Sequence, residues 1–428
     1  MNISYNWLKD LVEIDLSPSK LARKLTNVGL AVEGIHTIED DFVFDFDLTS
    51  NRPDCLSHLG VSREVAAITN YELRITNDKE QGTNEESQNL VTIQDSDLCH
   101  RFTARIIRNV KIGASPEWLV KRLEAVGERS INNVADITNY VMHELGQPMH
   151  SFDFNKLAGN RIVVRRARQG ETIKTLDEAE RKLDDGVLAI CDAEKPVAIG
   201  GVMGGFDSGI TEATTDVLLE VACFKRESIR QTSRKLNLNT EASYRFERGV
   251  DIENLIRASN RATELICELA SGEAGEFVDV YPTKFVSNEI ESKDIQAAVK
   301  RLIGLDVEKA EISRTLSALG IAQKSETIYL SPSWRHDIAI EEDLVEEVAR
   351  IVGYDKIAEK LPPVSSAGEY QPNEARKKQL RKTLADLGFD EAISYSFIDT
   401  RNDEKFAFVP NFVHENLDKK FVELRDSI

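Results

Sequence analysis

Residues 132–153, "NNVADITNYVMHELGQPMHSFD", decide how the middle of the chain is read. They crowd Asn, His, Asp, Thr and Gln side chains around a short apolar run. A core strand or helix rarely carries that much polar chemistry, so the stretch is expected to line a pocket. Within it "GQPMHSFD" forces a turn, and turns are where a scaffold presents functional side chains. His150 follows the Pro-Met step of that turn, one of only seven histidines in the chain. A lone His is most often a hydrogen-bonded structural residue; the competing reading is a pocket that hydrolyses an ester. The common templates are missing: no G-x-S-x-G elbow, no HExxH, no Walker loop, and no second metal-ligand pair to join Cys99-His100.

Two flanking segments suit a pocket. "AIGGVMGGFDSG", residues 198–209, matches no phosphate-binding glycine pattern. It reads either as a tight hairpin needing positive φ or as a wall where absent side chains let a flat ligand approach the backbone. "DVLLEVACF", residues 216–224, is an apolar strand interrupted by Glu220. A carboxylate there is costly unless it is paired or hydrogen-bonded. It is either a strand-edge Glu reaching solvent or an Arg, or a group kept to accept a hydrogen bond from a ligand hydroxyl.

Further out, the 428 residues exceed one ordinary core and imply two to four domains. Residues 1–76 read as an N-terminal α+β domain, with a helix from Ser17-Pro18 to Gly29 and a strand carrying Phe42, Phe44 and Phe46 inward. Residues 77–89 lack any apolar side chain and read as a linker. Residues 90–285 mix strands and helices without a regular βαβ alternation, so the fold class is α+β. Residues 286–362 form a smaller helix-rich unit whose three helices each close on Gly. Past a Pro-rich hinge, residues 363–428 start a further helix-strand unit and leave it incomplete.

The net charge of −19 argues against a protein living by nucleic-acid binding alone. One basic strip, "KRESIRQTSRKLN" from Lys225, stands against that balance and reads first as a solvated helix face. Five scattered cysteines without a CxxC argue for free thiols in a reducing compartment. With no membrane-length apolar run and no basic-then-apolar leader, a cytoplasmic location is expected. In "RHDIAIEEDLVEEVARIVGYD", residues 335–355, Asp343, Glu346 and Glu347 share a helix face by i+3 and i+4 spacing, and Asp337 precedes it. An acidic first turn explains itself through the helix dipole; Mg²⁺ ligation is the alternative.

Taken together, the four segments "NNVADITNYVMHELGQPMHSFD", "AIGGVMGG", "LEVACFKRESIRQTSRKLNLNTEASYRFERGVD" and "SWRHDIAIEEDLVEEVARIVGYD" resemble the bacterial phenylalanyl-tRNA synthetase beta subunits, in that family's order. The resemblance implies a multidomain fold. It comprises a central mixed α/β editing domain, a small helix-rich DNA-binding-like domain and the start of a class II synthetase-like catalytic module. It implies a chain that supports attachment of phenylalanine to tRNA(Phe) and hydrolyses mischarged Tyr-tRNA(Phe). His150, Thr138 and Asn139 would orient the terminal adenosine and the water. Glu220 would accept the phenol proton of tyrosine, with Gly201, Gly204, Thr240 and Ala242 around the ring. Asp337, Asp343, Glu346 and Glu347 would form a Mg²⁺ site shared with an alpha subunit. Partners would be that subunit, in a heterotetramer, and tRNA(Phe); ATP would be used by the holoenzyme, with aminoacylation on the alpha subunit. The family's OB-fold tRNA-binding insertion and its C-terminal modules are not found in the sequence, so a fragment or truncated relative is expected. A free-standing aminoacyl-tRNA deacylase and a non-catalytic scaffold are the alternatives.

Overall fold

The computed structural model describes residues 1–74, 89–359, 361, 368 and 371–395. The expected linker at 77–89 lies outside them except for its last position. Contacts divide the chain into two units, Met1–Ala358 and Glu359–Ile428. The first holds three hydrophobic cores.

The N-terminal core is built from β1 (Asn2–Ser4), α1 (Tyr5–Leu11), α2 (Pro18–Asn27), β2 (Ala31–Ile38), β3 (Asp41–Asp47) and α3 (His58–Thr69). Pro at the first position fixes the start of α2, and Gly29, at φ +94°, follows its end. The sheet order is β1-β3-β2. Phe44 and Phe46 are buried as expected, but Phe42, near the start of the strand, is exposed, and Val43 is buried in addition. β3 is thus covered on both faces over its middle, so a strict inside–outside alternation does not hold there.

The central core comprises β4 (Val91–Ile93), β5 (Cys99–Arg108), α4 (Glu117–Val126), α5 (Asn133–Leu145), β6 (Met149–Asp153), β7 (Ile162–Arg166), β8 (Thr172–Lys174), β9 (Glu180–Lys182), β10 (Leu188–Cys191), β11 (Pro196–Ile199), β12 (Met203–Gly204), β13 (Val217–Phe224), α6 (Arg226–Leu236), α7 (Glu241–Phe246), α8 (Leu255–Leu269) and β14 (Glu273–Val280). Two larger sheets result, β12-β11-β10-β7-β4 and β14-β5-β13-β6, beside the two-stranded β8-β9. Their pairings are antiparallel apart from β4 with β7, which is the mixed α+β arrangement rather than a doubly wound one. Every residue of β13 is buried, as its continuous apolar run requires of a strand covered on both faces. The stretch 132–153 departs from expectation. It is a regular helix and a strand, with the polar side chains on their inner faces, and His150 sits on β6 rather than in the turn.

The third core joins β15 (Glu289–Glu291), α9 (Ile295–Ile303), α10 (Lys309–Ala318), β16 (Ala322–Gln323), β17 (Ile328–Leu330) and α11 (Glu341–Val352). Gly304, Gly320 and Gly353 all have positive φ just past the three helices. In the second unit α12 (Glu374–Asp386) forms where a helix is expected and buries none of its residues. The strand expected after it falls from residue 396 onward outside the described residues. No helix of the described residues is long and apolar enough to cross a membrane.

Candidate functional site

Local rules place the site residues. Asn132 caps α5 by accepting the Ala135 N–H (2.9 Å), and Gly146, at φ +77°, ends the helix. The Gln147-Pro148 turn then delivers the chain into β6, and Gln147 Nε2 donates to the Ala222 carbonyl (2.9 Å), tying that turn to β13. The antiparallel register of β6 on β13 puts His150 directly opposite Glu220. Residues so paired share a sheet face. Both side chains enter one cavity of about 550 Å³ between the two sheets. A Cβ on Gly204, across the cavity on β12, would lie 2.3 Å from His150 Cε1. Glycine there makes room for the imidazole. Gly201 has φ +66°, and a Cβ on it would meet Ile229 Cδ1 at 2.9 Å.

Thr138, Asn139, His150, Gly201, Gly204, Glu220, Thr240 and Ala242 all line this cavity. Their hydrogen bonds differ. Thr138 Oγ1 donates to the Ala135 carbonyl (2.7 Å). Thr240 caps α7 by accepting the Ser243 N–H (3.0 Å) and donates to the Val202 carbonyl (2.9 Å), so its hydroxyl holds the wall together. The Asn139 amide makes no hydrogen bond to the described residues.

His150 and Glu220 are the unusual pair. His150 Nε2 and Glu220 Oε2 are buried and have no hydrogen-bond partner among the described residues. Burial without a countercharge pushes the Glu220 carboxyl up to about 8 and the His150 imidazole down to about 4. Near neutral pH both are uncharged. The sequence reading takes Glu220 as an acceptor; the upward shift favours its protonated form near neutral pH, a form that offers both a donor and an acceptor.

Several lining residues escaped the sequence reading. Met142, Met149, Ile199, Val202 and Phe246 make the greasy wall, while Glu128, Asp177 and Glu241 add carboxylates to the lining. Glu128 accepts from His143 Nε2 (3.2 Å), and Glu241 is held by the buried Arg245 (2.6 Å). A polar residue two or three places after a helix end, or first in a short helix, carries no periodic signal, and its partner is distant in sequence.

The four carboxylates expected to share Mg²⁺ do not converge. Glu347 is buried and takes two hydrogen bonds from Arg335 (2.8 Å each) and further ones from Arg350. Asp337 takes the remaining edge of Arg335 (2.8 and 3.0 Å). Asp343 accepts the Ala339 and Ile340 N–H groups (2.7 and 2.9 Å) at the start of α11, and Glu346 is exposed. Arg350 continues to Glu64, which also holds Arg52, so α11 is clamped to α3 by buried charge. Donor atoms do cluster at Asp54, Cys55 and Glu64 and at Glu128, His143 and Glu241. Arg52 already occupies the first set and Arg245 borders the second. All five cysteines are free.

Comparison with known proteins gives this geometry its setting. Family models match as the B3/4 domain over residues 98–271, the tRNA synthetase B5 domain over 296–354, and the phenylalanyl tRNA synthetase beta chain CLM domain over 357–428. The chain is 41% identical over 415 residues to the phenylalanine–tRNA ligase beta subunit of Rhodopirellula baltica, covering 94% of this chain and 60% of that one. It is 47% identical over 370 residues to that of Syntrophus aciditrophicus, covering 84% of this chain and 46% of that one. An N-terminal fragment of the phenylalanyl-tRNA synthetase beta subunit from Pyrococcus horikoshii is 15% identical with a TM-score of 0.46, covering 82% of this chain and 99% of that one. The chain thus spans about half the length of the curated relatives it matches. It belongs to the family of phenylalanyl-tRNA synthetase beta subunits.

Proposed function

We propose that this chain acts as the beta subunit of a phenylalanine–tRNA ligase and that its central cavity hydrolyses Tyr-tRNA(Phe). One observation carries the second part: a buried carboxyl and an imidazole with a buried Nε2, neighbours across two strands, both without a hydrogen-bond partner among the described residues and both facing one cavity. Leaving such groups unmatched costs on the order of 1–3 kcal/mol each, which a bound ligand recovers. A phenol hydroxyl suits a protonated Glu220, since each can donate to and accept from the other. A phenylalanyl ring leaves it unmatched, and a site built around a hydroxyl rejects the analogue lacking it. The methionine and isoleucine walls, with Ala242 and the glycines, accommodate the ring.

Hydrolysis needs water aimed at the ester carbonyl carbon and a route for its proton. An imidazole held neutral down to about pH 4 is a weak base. His150 therefore works chiefly by accepting the water's hydrogen bond, with Thr138 and Asn139 holding the ribose; as water adds and the ester C–O bond breaks, the water's proton passes to the departing ribose oxygen. An aminoacyl ester is labile enough for orientation to be the main contribution. Aminoacylation, with its ATP, is assigned to an alpha subunit in a heterotetramer. The Mg²⁺ set does not fit within this chain, because two of its four carboxylates are held by guanidinium groups; no step here passes through the ion. The matches at 296–354 and 357–428 support reading a small DNA-binding-like domain and the start of a catalytic-like module. Timed deacylation of Tyr-tRNA(Phe) tests the proposal: His150→Ala should lower the rate about 100-fold, in the range of a positioned proton-handling group. An unchanged rate would sink it.

A further inference from the structure

The basic run from Lys225 is a sequence motif that the cavity chemistry leaves unused. In the structure it is α6. Its inner face carries Ile229, whose Cδ1 is the atom a Cβ on Gly201 would strike, so the helix backs directly onto the cavity wall. Its outer face exposes Arg226, Arg230 and Arg234 at i, i+4 and i+8, with Lys225 and Lys235 beside them. Like charges at this spacing weaken a helix. The chain carries 73 acidic against 54 basic residues, yet among the described residues no carboxylate pairs with any of these three arginines. Lys235, by contrast, pairs with Asp184.

The stripe leads somewhere. At its far end Arg226 reaches the Arg248 carbonyl (3.4 Å), and Arg248 stacks on the exposed Tyr244, 3.6 Å from the ring centroid. Tyr244 lies on α7, whose first residues line the cavity. At its near end Ser233 Oγ donates to the Leu238 carbonyl (2.7 Å), fixing the turn into Thr240. A row of guanidinium groups with no carboxylate partner among the described residues, beside an exposed aromatic, is the equipment for a single-stranded polyanion with stacking bases.

We infer that α6 is a track for the single-stranded 3′ end of an RNA, which delivers the ester-bearing terminus to the cavity. The inference rests on the proposed function and adds a surface to it. The test uses the full-length protein with any subunit that copurifies, and a short single-stranded RNA ending in CCA as the probe. Arg230→Glu/Arg234→Glu should weaken RNA binding about 10-fold or more and flatten its salt dependence, since each lost phosphate contact removes ~0.7 from the log–log slope. Arg230→Lys/Arg234→Lys should bind nearly as wild type, and Lys20→Glu/Lys24→Glu, the same charge change on α2, should leave binding intact. A tyrosyl ester of adenosine should still be hydrolysed at the wild-type rate by the Glu variant. Unchanged RNA affinity, or equal weakening by the α2 variant, would overturn the track. Unchanged affinity with loss of a copurifying subunit would assign the face to protein docking instead. If wild type binds RNA through α6 but leaves the adenosine ester intact, the track stands and the cavity reading fails.

Discussion

Two buried polar constellations lie within the same unit and are built on opposite rules. Between α3 and α11, Arg52, Glu64, Arg335, Glu347 and Arg350 form a chain in which each charge meets its opposite. Arg335 and Arg350 hold the Glu347 carboxyl well below its usual range despite its burial. In the central cavity, Glu220 and His150 meet no countercharge, and burial drives both to their neutral forms. A satisfied network is complete as it stands and is a joint. An unsatisfied pair is complete only with something added, and that is the mark of a site. The carboxylates expected to hold a metal fall largely on the satisfied side.

The comparison breaks most visibly at Glu347. Glu347→Ala leaves Arg335 only Asp337 and Arg350 only Glu64, each buried guanidinium losing one of its two carboxylates, and we expect a loss of about 3–5 kcal/mol, read as a lower denaturant midpoint. An unchanged midpoint would mean that the network holds nothing together. Glu220 should behave in the opposite sense. Its folded pKa, about 8, lies above the unfolded value of 4.5, so the folded state binds the extra proton between them. Stability is then full below about pH 4.5 and falls as pH rises through about 8. Glu220→Gln should remove that slope and stabilise the protein at pH 9 by on the order of 5 kcal/mol, with little change at pH 4. Equal melting shifts at both pH values would contradict the assigned protonation. Gly204→Ala drives a methyl into the His150 imidazole; overpacking of this kind costs about 1–3 kcal/mol, and hydrolysis should fall with it. Full hydrolysis by that variant would show that the imidazole's place is immaterial. Glu346→Ala, exposed one residue before Glu347, should change stability by no more than about 0.5 kcal/mol.

How far the sequence carried the reading is seen in the same residues. Thr138, Asn139, His150, Glu220 and Thr240 were all legible, because polar side chains beside apolar runs stand out and the resemblance grouped them. Their division of labour was not. Thr240's cap and Thr138's back-bond depend on α7 and α5 forming. The face shared by His150 and Glu220 depends on a strand register 70 residues apart in the chain, a fact of pairing rather than of pattern. Polarity in 132–153 argues, on sequence, against a core helix or strand, whereas a capped helix and a strand carry it on inner faces. In α11 the i+3 and i+4 spacing predicts one face for Asp343, Glu346 and Glu347, but Glu346 is exposed while Glu347 is buried on partners that come from Arg335 before the helix and, through Arg350, from Glu64 on α3. No local pattern announces them. Arg245, fully buried beside His143 and Glu241, was missed for the same reason.

The most direct test compares the rates at which wild type and Glu220→Ala hydrolyse Tyr-tRNA(Phe) and Phe-tRNA(Phe). The expected result is a Tyr-to-Phe rate ratio that falls about 10-fold or more in the variant, because the lost partner served only the hydroxyl. A ratio the same in both proteins would contradict the account, whatever the absolute rates.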